Sequence, residues 1–240
     1  MLESISIVIP AYNEEKVIES TLKSVTEYCA GKFKDYEVIV VDDCSRDKTR
    51  EIASAFPSPN VRLLHNEVNH GKGYSVKKGV LESKNALVLF MDSDSSLPIE
   101  NLDVFLPFIE KGFDIVIASR NVSGAEIQNQ QKHRRFLGRA FSFFVGLLVL
   151  RGFGDTQCGF KLFKAGAAKS AFSLQTLERF SFDVEVLFIS KKKGYKIAEA
   201  PVKCIYCERS SVNPIKDSFR MLKDMATIRL NDLLGKYNSP

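Results

Sequence analysis

The sequence predicts an α/β protein built on a mainly parallel sheet with helices on both faces. Three observations carry this. Short apolar runs alternate with helical patterns nearly to the end of the chain, the runs are apolar throughout instead of alternating in polarity, and each stops abruptly at polar residues. Strands buried on both faces need that composition, and helical crossovers between parallel strands supply the cover. In such sheets ligands collect outside the carboxyl ends of the strands.

The elements follow in order. Ser4-Ile-Ser-Ile-Val-Ile-Pro10 reads as a buried strand, after which Ile18, Leu22, Val25 and Cys29 recur at three- and four-residue intervals on one face of a helix. Glu37 to Asp43 is a second strand, and Asp47 is placed to cap a helix carrying Ile52, Ala53 and Phe56. Val61 to Leu64 makes a third strand, and a helix containing Val76 and Val80 leads to a fourth, Ala86 to Met91, which ends in Asp92. Pro98 has the position of a first helical residue, and Asp114 to Ala118 forms a fifth strand. Polar clusters stand at these strand ends: Tyr12-Asn13-Glu14, Asp42-Asp43, Asn69-His70-Gly71-Lys72-Gly73, Asp92-Ser93-Asp94 and Ser119-Arg120.

With 240 residues, 45% of them hydrophobic and 26% charged, the chain can bury a full core. No linker, repeat or low-complexity tract divides it, so one domain over 1–240 is expected. The balance of 34 basic against 29 acidic residues suits a protein that meets anions and is too weak to imply nucleic acid. Five scattered cysteines and a start without a basic or long apolar leader point to a reducing, cytoplasmic setting. Cys204 and Cys207 have CxxC spacing, but they lack a second pair for zinc, and their surroundings read as strand.

Asp92 and Asp94 are the candidates for chemistry. On extended backbone their alternating spacing sends both carboxylates the same way, and one or two carboxylates plus substrate phosphates are what a hard divalent cation such as Mg2+ or Mn2+ takes. The plain alternative is a turn before the next helix. Asp43, acceptor-only when ionised, could take an N–H from a nucleobase edge or merely cap its own turn. Arg120 could grip phosphate oxygens with its planar fork, or stand as a solvated charge. The first strand is followed by Pro10-Ala-Tyr-Asn-Glu14 instead of G-x-G-x-x-G or a P-loop, which disfavours hydride transfer and triphosphate chemistry.

Taken together, Ile7-Val-Ile-Pro-Ala-Tyr-Asn-Glu14, Val41-Asp-Asp-Cys-Ser45, Asn69 to Gly73 and Asp92-Ser-Asp94 resemble the inverting glycosyltransferases of the second family. Their fold is GT-A, the nucleotide-diphospho-sugar transferase fold. Within that family the chain resembles the dolichyl-phosphate glucosyltransferases and mannosyltransferases, and Asp155-Thr-Gln-Cys-Gly-Phe-Lys161, Arg179-Phe-Ser-Phe-Asp183-Val-Glu185 and Lys223-Asp-Met-Ala-Thr-Ile-Arg229 are similar in order and spacing to the glucosyl branch. The resemblance implies a donor site in residues 1–120, made of Pro10, Ala11, Tyr12, Glu14, Val41, Asp43, Gly71, Lys72, Asp92 and Ser93. It implies metal ligation by Asp94 first, with Asp92 second. Arg120, Asp155 and Lys161 would join them in catalysis, Lys161 by gripping an acceptor phosphate, and Asp183 would organise the acceptor half, 121–240. Related enzymes carry a Ser-Lys pair where this chain reads Arg209-Ser-Ser-Val212, so Arg209 would substitute for the lysine.

The acceptor implied is a dolichyl or other polyprenyl phosphate, and the donor a nucleotide sugar, UDP-glucose foremost. Lys132-His-Arg134-Arg135 and Arg139 precede the apolar run Phe141 to Leu150. Ten helical residues give about 15 Å against a hydrocarbon core of about 30 Å, so this segment cannot span a bilayer but could lie in the interface. Arg134, Arg135 and Arg139 would then meet an anionic membrane surface, and attachment to the cytoplasmic face would be peripheral, with no transmembrane span. The alternatives are transfer to a carbohydrate hydroxyl, another nucleotide sugar such as GDP-mannose or UDP-GlcNAc, or a non-catalytic nucleotide-sugar-binding protein.

Overall fold

The computed structural model describes residues 2–128, 149–205 and 214–238. The strands are β1 (Leu2–Ala11), β2 (Phe33–Asp42), β3 (Val61–His65), β4 (Leu87–Met91), β5 (Ile115–Ser119), β6 (Glu126–Gln128), β7 (Phe160–Lys164), β8 (Ile197–Pro201) and β9 (Lys203–Ile205). The helices are α1 (Ile18–Lys32), α2 (Thr49–Ser54), α3 (Lys72–Glu82), α4 (Leu102–Glu110), α5 (Ala165–Leu174), α6 (Phe182–Lys192) and α7 (Pro214–Leu233). Seven strands form one sheet in the order β3-β2-β1-β4-β7-β5-β8. All neighbours are parallel except β7, which is antiparallel to both β4 and β5. The short strands β6 and β9 pair separately.

Period-two alternation of side chains divides the apolar residues of each strand between two layers. Ile5, Ile7 and Ile9 of β1 face α1 and α4, together with Val38, Val40, Leu89 and Met91. Val8, Ile39, Val41, Val88 and Phe90 face the opposite layer of α3, α5, α6 and α7. Both layers are buried, which is why the strand runs carry no polar alternation. On α1 the buried stripe is Ile18, Thr21, Leu22, Val25 and Cys29, the face expected from the spacing.

Two local expectations shift. The N-cap position of α2 falls on Lys48, one residue beyond Asp47, although the Asp47 carboxylate still accepts from the Thr49 N–H at 3.0 Å. Pro98 lies before a 3-10 turn, Ile99–Asn101, that leads into α4, instead of opening the helix itself. Among the described residues no helix is long and apolar enough to cross a membrane. Residues 132–148, with Arg134, Arg135 and Arg139, and likewise Arg209 and Cys207, lie outside the described residues. Val149 and Leu150, the end of that apolar run, are buried against the second layer.

Candidate active site

Register brings the polar clusters to one rim. Ala11 pairs with Asp42, Val8 with Phe90 and Ser119 with Pro201, so the parallel strands end side by side. The antiparallel β7 enters where its neighbours leave, pairing Phe160 with Met91. Residues 155–159 therefore share the rim with Asp92 and Arg120, a placement that five parallel strands alone would not provide.

The first loop is tied to the second. Asn13, at φ 58°, donates its N–H to Ser45 Oγ at 3.0 Å and accepts from the Arg46 N–H at 2.9 Å. The Glu14 N–H donates to Thr49 Oγ1 at 2.7 Å. Pro10 and Val41 are buried beneath, while Tyr12 leaves 41% of its surface exposed as a stacking face.

Asp43 organises a loop. Its Oδ1 accepts from Asn66 Nδ2 at 2.8 Å and from the His70 N–H at 3.1 Å, and its Oδ2 accepts from the Gly71 N–H at 2.7 Å. The carboxylate thus fixes residues 66–71, with one lone pair of Oδ2 not used by these bonds. Gly71 has φ 108°, and a Cβ there would lie 2.9 Å from the Glu178 carbonyl oxygen. The Tyr74 N–H donates to that same oxygen at 3.0 Å. The Asn69–Gly73 and Arg179–Glu185 motifs, about a hundred positions apart in the chain, are one packed unit.

At the end of β4, the Asp92 N–H donates to the Gly159 carbonyl at 3.0 Å, and Asp92 Oδ1 lies 2.5 Å from Lys72 Nζ. Asp94 Oδ1 accepts from the Ser96 N–H at 2.9 Å, the turn-forming bond of the plain alternative, yet its side chain is only half-buried. Burial alone would lower the Lys72 pKa, but Asp92, Asp183 and Asp94 more than offset it and raise it above the usual lysine value. Among the described residues no three His, Cys, Asp or Glu side chains cluster as a metal cage. Asp92 and Asp94 still fit a cation that keeps waters and shares substrate phosphates, and the ammonium on Asp92 shows that the position accepts positive charge.

Arg120 and Asp155 form a two-pronged pair, Nε to Oδ2 at 2.6 Å and Nη2 to Oδ1 at 3.0 Å. Burial pushes the Asp155 carboxyl up, but the Arg120 charge and hydrogen bonds outweigh it and hold it below the usual carboxylate range. Lys161, on β7, is only 1% exposed; its ammonium donates to the Cys158 carbonyl at 2.7 Å and to Asp183 Oδ1 at 2.5 Å. The direct grip on an acceptor phosphate expected of Lys161 would need that ammonium at the surface, and burial with Asp183 keeps it inside. Asp183 is itself 4% exposed, and burial, only partly offset by Lys161 and Lys72, raises its pKa. Lys161 and Asp183 are buried beneath the rim, while Asp92, Asp94 and Arg120 lie partly exposed on it.

Several participants escaped the sequence reading. Gly159 lies so close to Asp92 that a Cβ would fall 2.1 Å from Oδ2. Glu199 accepts from the Gly154 and Asp155 N–H groups at 3.0 and 3.1 Å, and Asn66 bridges Asp43 to Ser75. Gly159 stood inside a motif already singled out, so its spacing was a usable signal. Glu199 and Asn66 carry none, because their roles depend on contacts 44 and 23 residues away.

The sequence profile of Glycosyl transferase family 2 matches residues 6–172. A dolichyl-phosphate beta-glucosyltransferase from Dictyostelium discoideum is 34% identical over 96% of this chain and 75% of its own length. One from Homo sapiens is 33% identical over 98% and 78%. The structure of glucosyl-3-phosphoglycerate synthase from Mycobacterium tuberculosis, in complex with Mn2+, UDP-glucose and phosphoglyceric acid, superposes with a TM-score of 0.70 at 19% identity, covering 99% of this chain and 80% of that one. That likeness carries the GT-A fold. The chain belongs to glycosyl transferase family 2 and is a glycosyltransferase.

Proposed function

We propose that this enzyme moves one glucose from UDP-glucose to a polyprenyl phosphate of the dolichyl type, with inversion and with the help of Mg2+ or Mn2+. The observation that carries the reading is the single rim on which Asp92, Asp94, the Asp43-ordered loop and the Arg120–Asp155 pair converge. The names of its relatives support the acceptor, and the ligands of the mycobacterial structure support the donor and cation.

In this reading residues 1–240 act as one domain. Pro10, Ala11, Tyr12, Glu14, Val41, Asp43, Gly71, Lys72, Asp92 and Ser93 make the donor site, with Tyr12 stacking on the base and Asp43 shaping the loop. Asp92 and Asp94 would hold the cation, which when bound neutralises charge on the departing diphosphate. Arg120 meets phosphate or sugar oxygens, steadied by Asp155, while Lys161 and Asp183 support the floor from below. An acceptor phosphate oxygen forms the new bond to the anomeric carbon as the bond to the UDP oxygen breaks, and UDP leaves with that electron pair. A phosphate monoester is largely dianionic at pH 7, so the nucleophile arrives ionised and no protein base is required. The Asp155 carboxylate, held by Arg120, is correspondingly unsuited to take a proton.

Arg134, Arg135, Arg139 and Arg209 are proposed to meet the acceptor and an anionic cytoplasmic membrane surface peripherally. The deciding experiment supplies UDP- and GDP-sugars with a short polyprenyl phosphate, the free polyprenol and soluble sugars. Transfer from UDP-glucose to the phosphate alone, abolished by chelator, is expected. Efficient transfer to the alcohol or to a sugar would hand the function to the carbohydrate-hydroxyl alternative.

A further inference from the structure

Lys72 is misplaced for helix stability. It is the first residue of α3, where the helix dipole disfavours positive charge, and neither an acidic side chain in the first turn nor a side-chain cap compensates. Its aliphatic stem and ammonium are nevertheless drawn inward: the ammonium lies 2.5 Å from Asp92 Oδ1 and 6.0 Å from the centroid of the Phe90 ring, and its side chain is only 22% exposed. Asp183 and Asp94 add to the negative field around it.

Asp92 has little freedom to avoid this contact. Its backbone N–H is held by the Gly159 carbonyl, and its carboxylate packs onto the Gly159 α-carbon. One anchored carboxylate is thus claimed by a resident cation, Lys72, and, if the metal-assisted reading holds, by a divalent ion. The carboxylate has lone pairs for both, but an ammonium 2.5 Å from Oδ1 and a divalent ion on the same group would stand within a few ångströms of each other and repel.

Resting on that reading, we propose that Lys72 competes with the divalent cation for Asp92, so that cation and nucleoside diphosphate load together. The ion alone must displace the ammonium and leave a half-buried lysine without its partner. A diphosphate changes the balance because it brings oxygens for the ion and an anion for the lysine at once. Lys72 is therefore a positioning residue that makes cation affinity depend on the donor, a coupling that is reciprocal by linkage.

The test titrates Mn2+ into the 240-residue wild type and into Lys72→Met, each with and without UDP, reading free Mn2+ by electron paramagnetic resonance. Lys72→Met should bind Mn2+ alone about three- to tenfold more tightly than the wild type, the scale of releasing one half-buried ion pair. The enhancement of Mn2+ binding by UDP should shrink in the same variant. Lys72→Arg should restore the wild-type pattern, and adding Asp92→Asn to Lys72→Met should remove the gain. A lysine with only a structural role would not sharpen metal binding when deleted. Unchanged or weaker Mn2+ affinity in folded Lys72→Met, checked by circular dichroism, overturns the competition and leaves the metal-assisted reading intact. Absence of Mn2+ binding in every protein, while UDP still binds, overturns both.

Discussion

The Asp92 carboxylate rests directly on the Gly159 α-carbon, with no room for a side chain between them: a Cβ at Gly159 would lie 2.1 Å from Oδ2 and 2.4 Å from Cγ. Backbone reinforces the contact through the Asp92 N–H and the Gly159 carbonyl. The entry to antiparallel β7 thereby sets where this carboxylate of the rim points.

Gly159→Ala should consequently cut transfer by at least about tenfold, because the carboxylate must move by more than an ångström to clear a methyl group. The cost in stability should be about 1 to 3 kcal/mol, the range for overpacking. Gly166→Ala is the control, since a Cβ there meets nothing within 4 Å. Urea unfolding and steady-state transfer measure the two effects, and an active Gly159→Ala enzyme would show that the Asp92 position is not critical.

Asp43→Ala should loosen the 66–71 loop by removing one of the two Asn66 Nδ2 hydrogen bonds and stranding two backbone N–H groups. A loss of about 2 to 4 kcal/mol of stability is expected from a buried, charge-assisted set. UDP binding by calorimetry should weaken alongside. Asp43→Asn keeps one acceptor oxygen and should fall between. Were UDP affinity unchanged in a folded Asp43→Ala protein, the loop would have no part in the donor site.

The Lys161–Asp183 pair has both partners nearly sealed from water, at 1% and 4% side-chain exposure. Removing either partner leaves a buried charge, so Lys161→Met and Asp183→Leu should each cost about 3 to 5 kcal/mol, while the double variant should cost much less than their sum. Thermal unfolding of the four proteins closes the cycle. Strict additivity would mean that the two charges are solvated independently. UDP binding should survive in the double variant, in keeping with a pair beneath the rim.

Stability should also report on Asp155. Its folded-state pKa is held below the ordinary carboxylate value, with burial opposing and Arg120 prevailing, so the unfolded chain takes up its proton first as pH falls. The stabilisation is complete above the unfolded value of about 3.9 and disappears as pH drops through the folded one. Asp155→Asn should therefore flatten the acid limb of the stability curve below about pH 4. An acid limb of unchanged slope would dissociate Asp155 from acid unfolding.

The sequence by itself determined the parallel half of the sheet, the stripe Ile18, Leu22, Val25 and Cys29 of α1, and the polar residues at the strand ends. These are legible because they rest on local periodicity: a strand buried on both faces must be apolar, and it must stop being apolar where it reaches solvent. β7 was not legible, since Lys161 interrupts the run Phe160 to Lys164 and a charged residue inside a strand reads as surface. Only the tertiary structure supplied Asp183 to neutralise it, and with β7 came the placement of Asp155 and Gly159 beside Arg120 and Asp92. The same holds for the uses of the charges. Position at the strand ends identified Asp43 and Asp92 as candidates and the family resemblance added Asp155, Lys72 and Lys161, but which oxygen meets which nitrogen depends on loops brought together from distant parts of the chain. Burial decided the rest: the rim is the place where a charge can keep water or meet a phosphate, and a few ångströms beneath it a charge must find a partner in the protein.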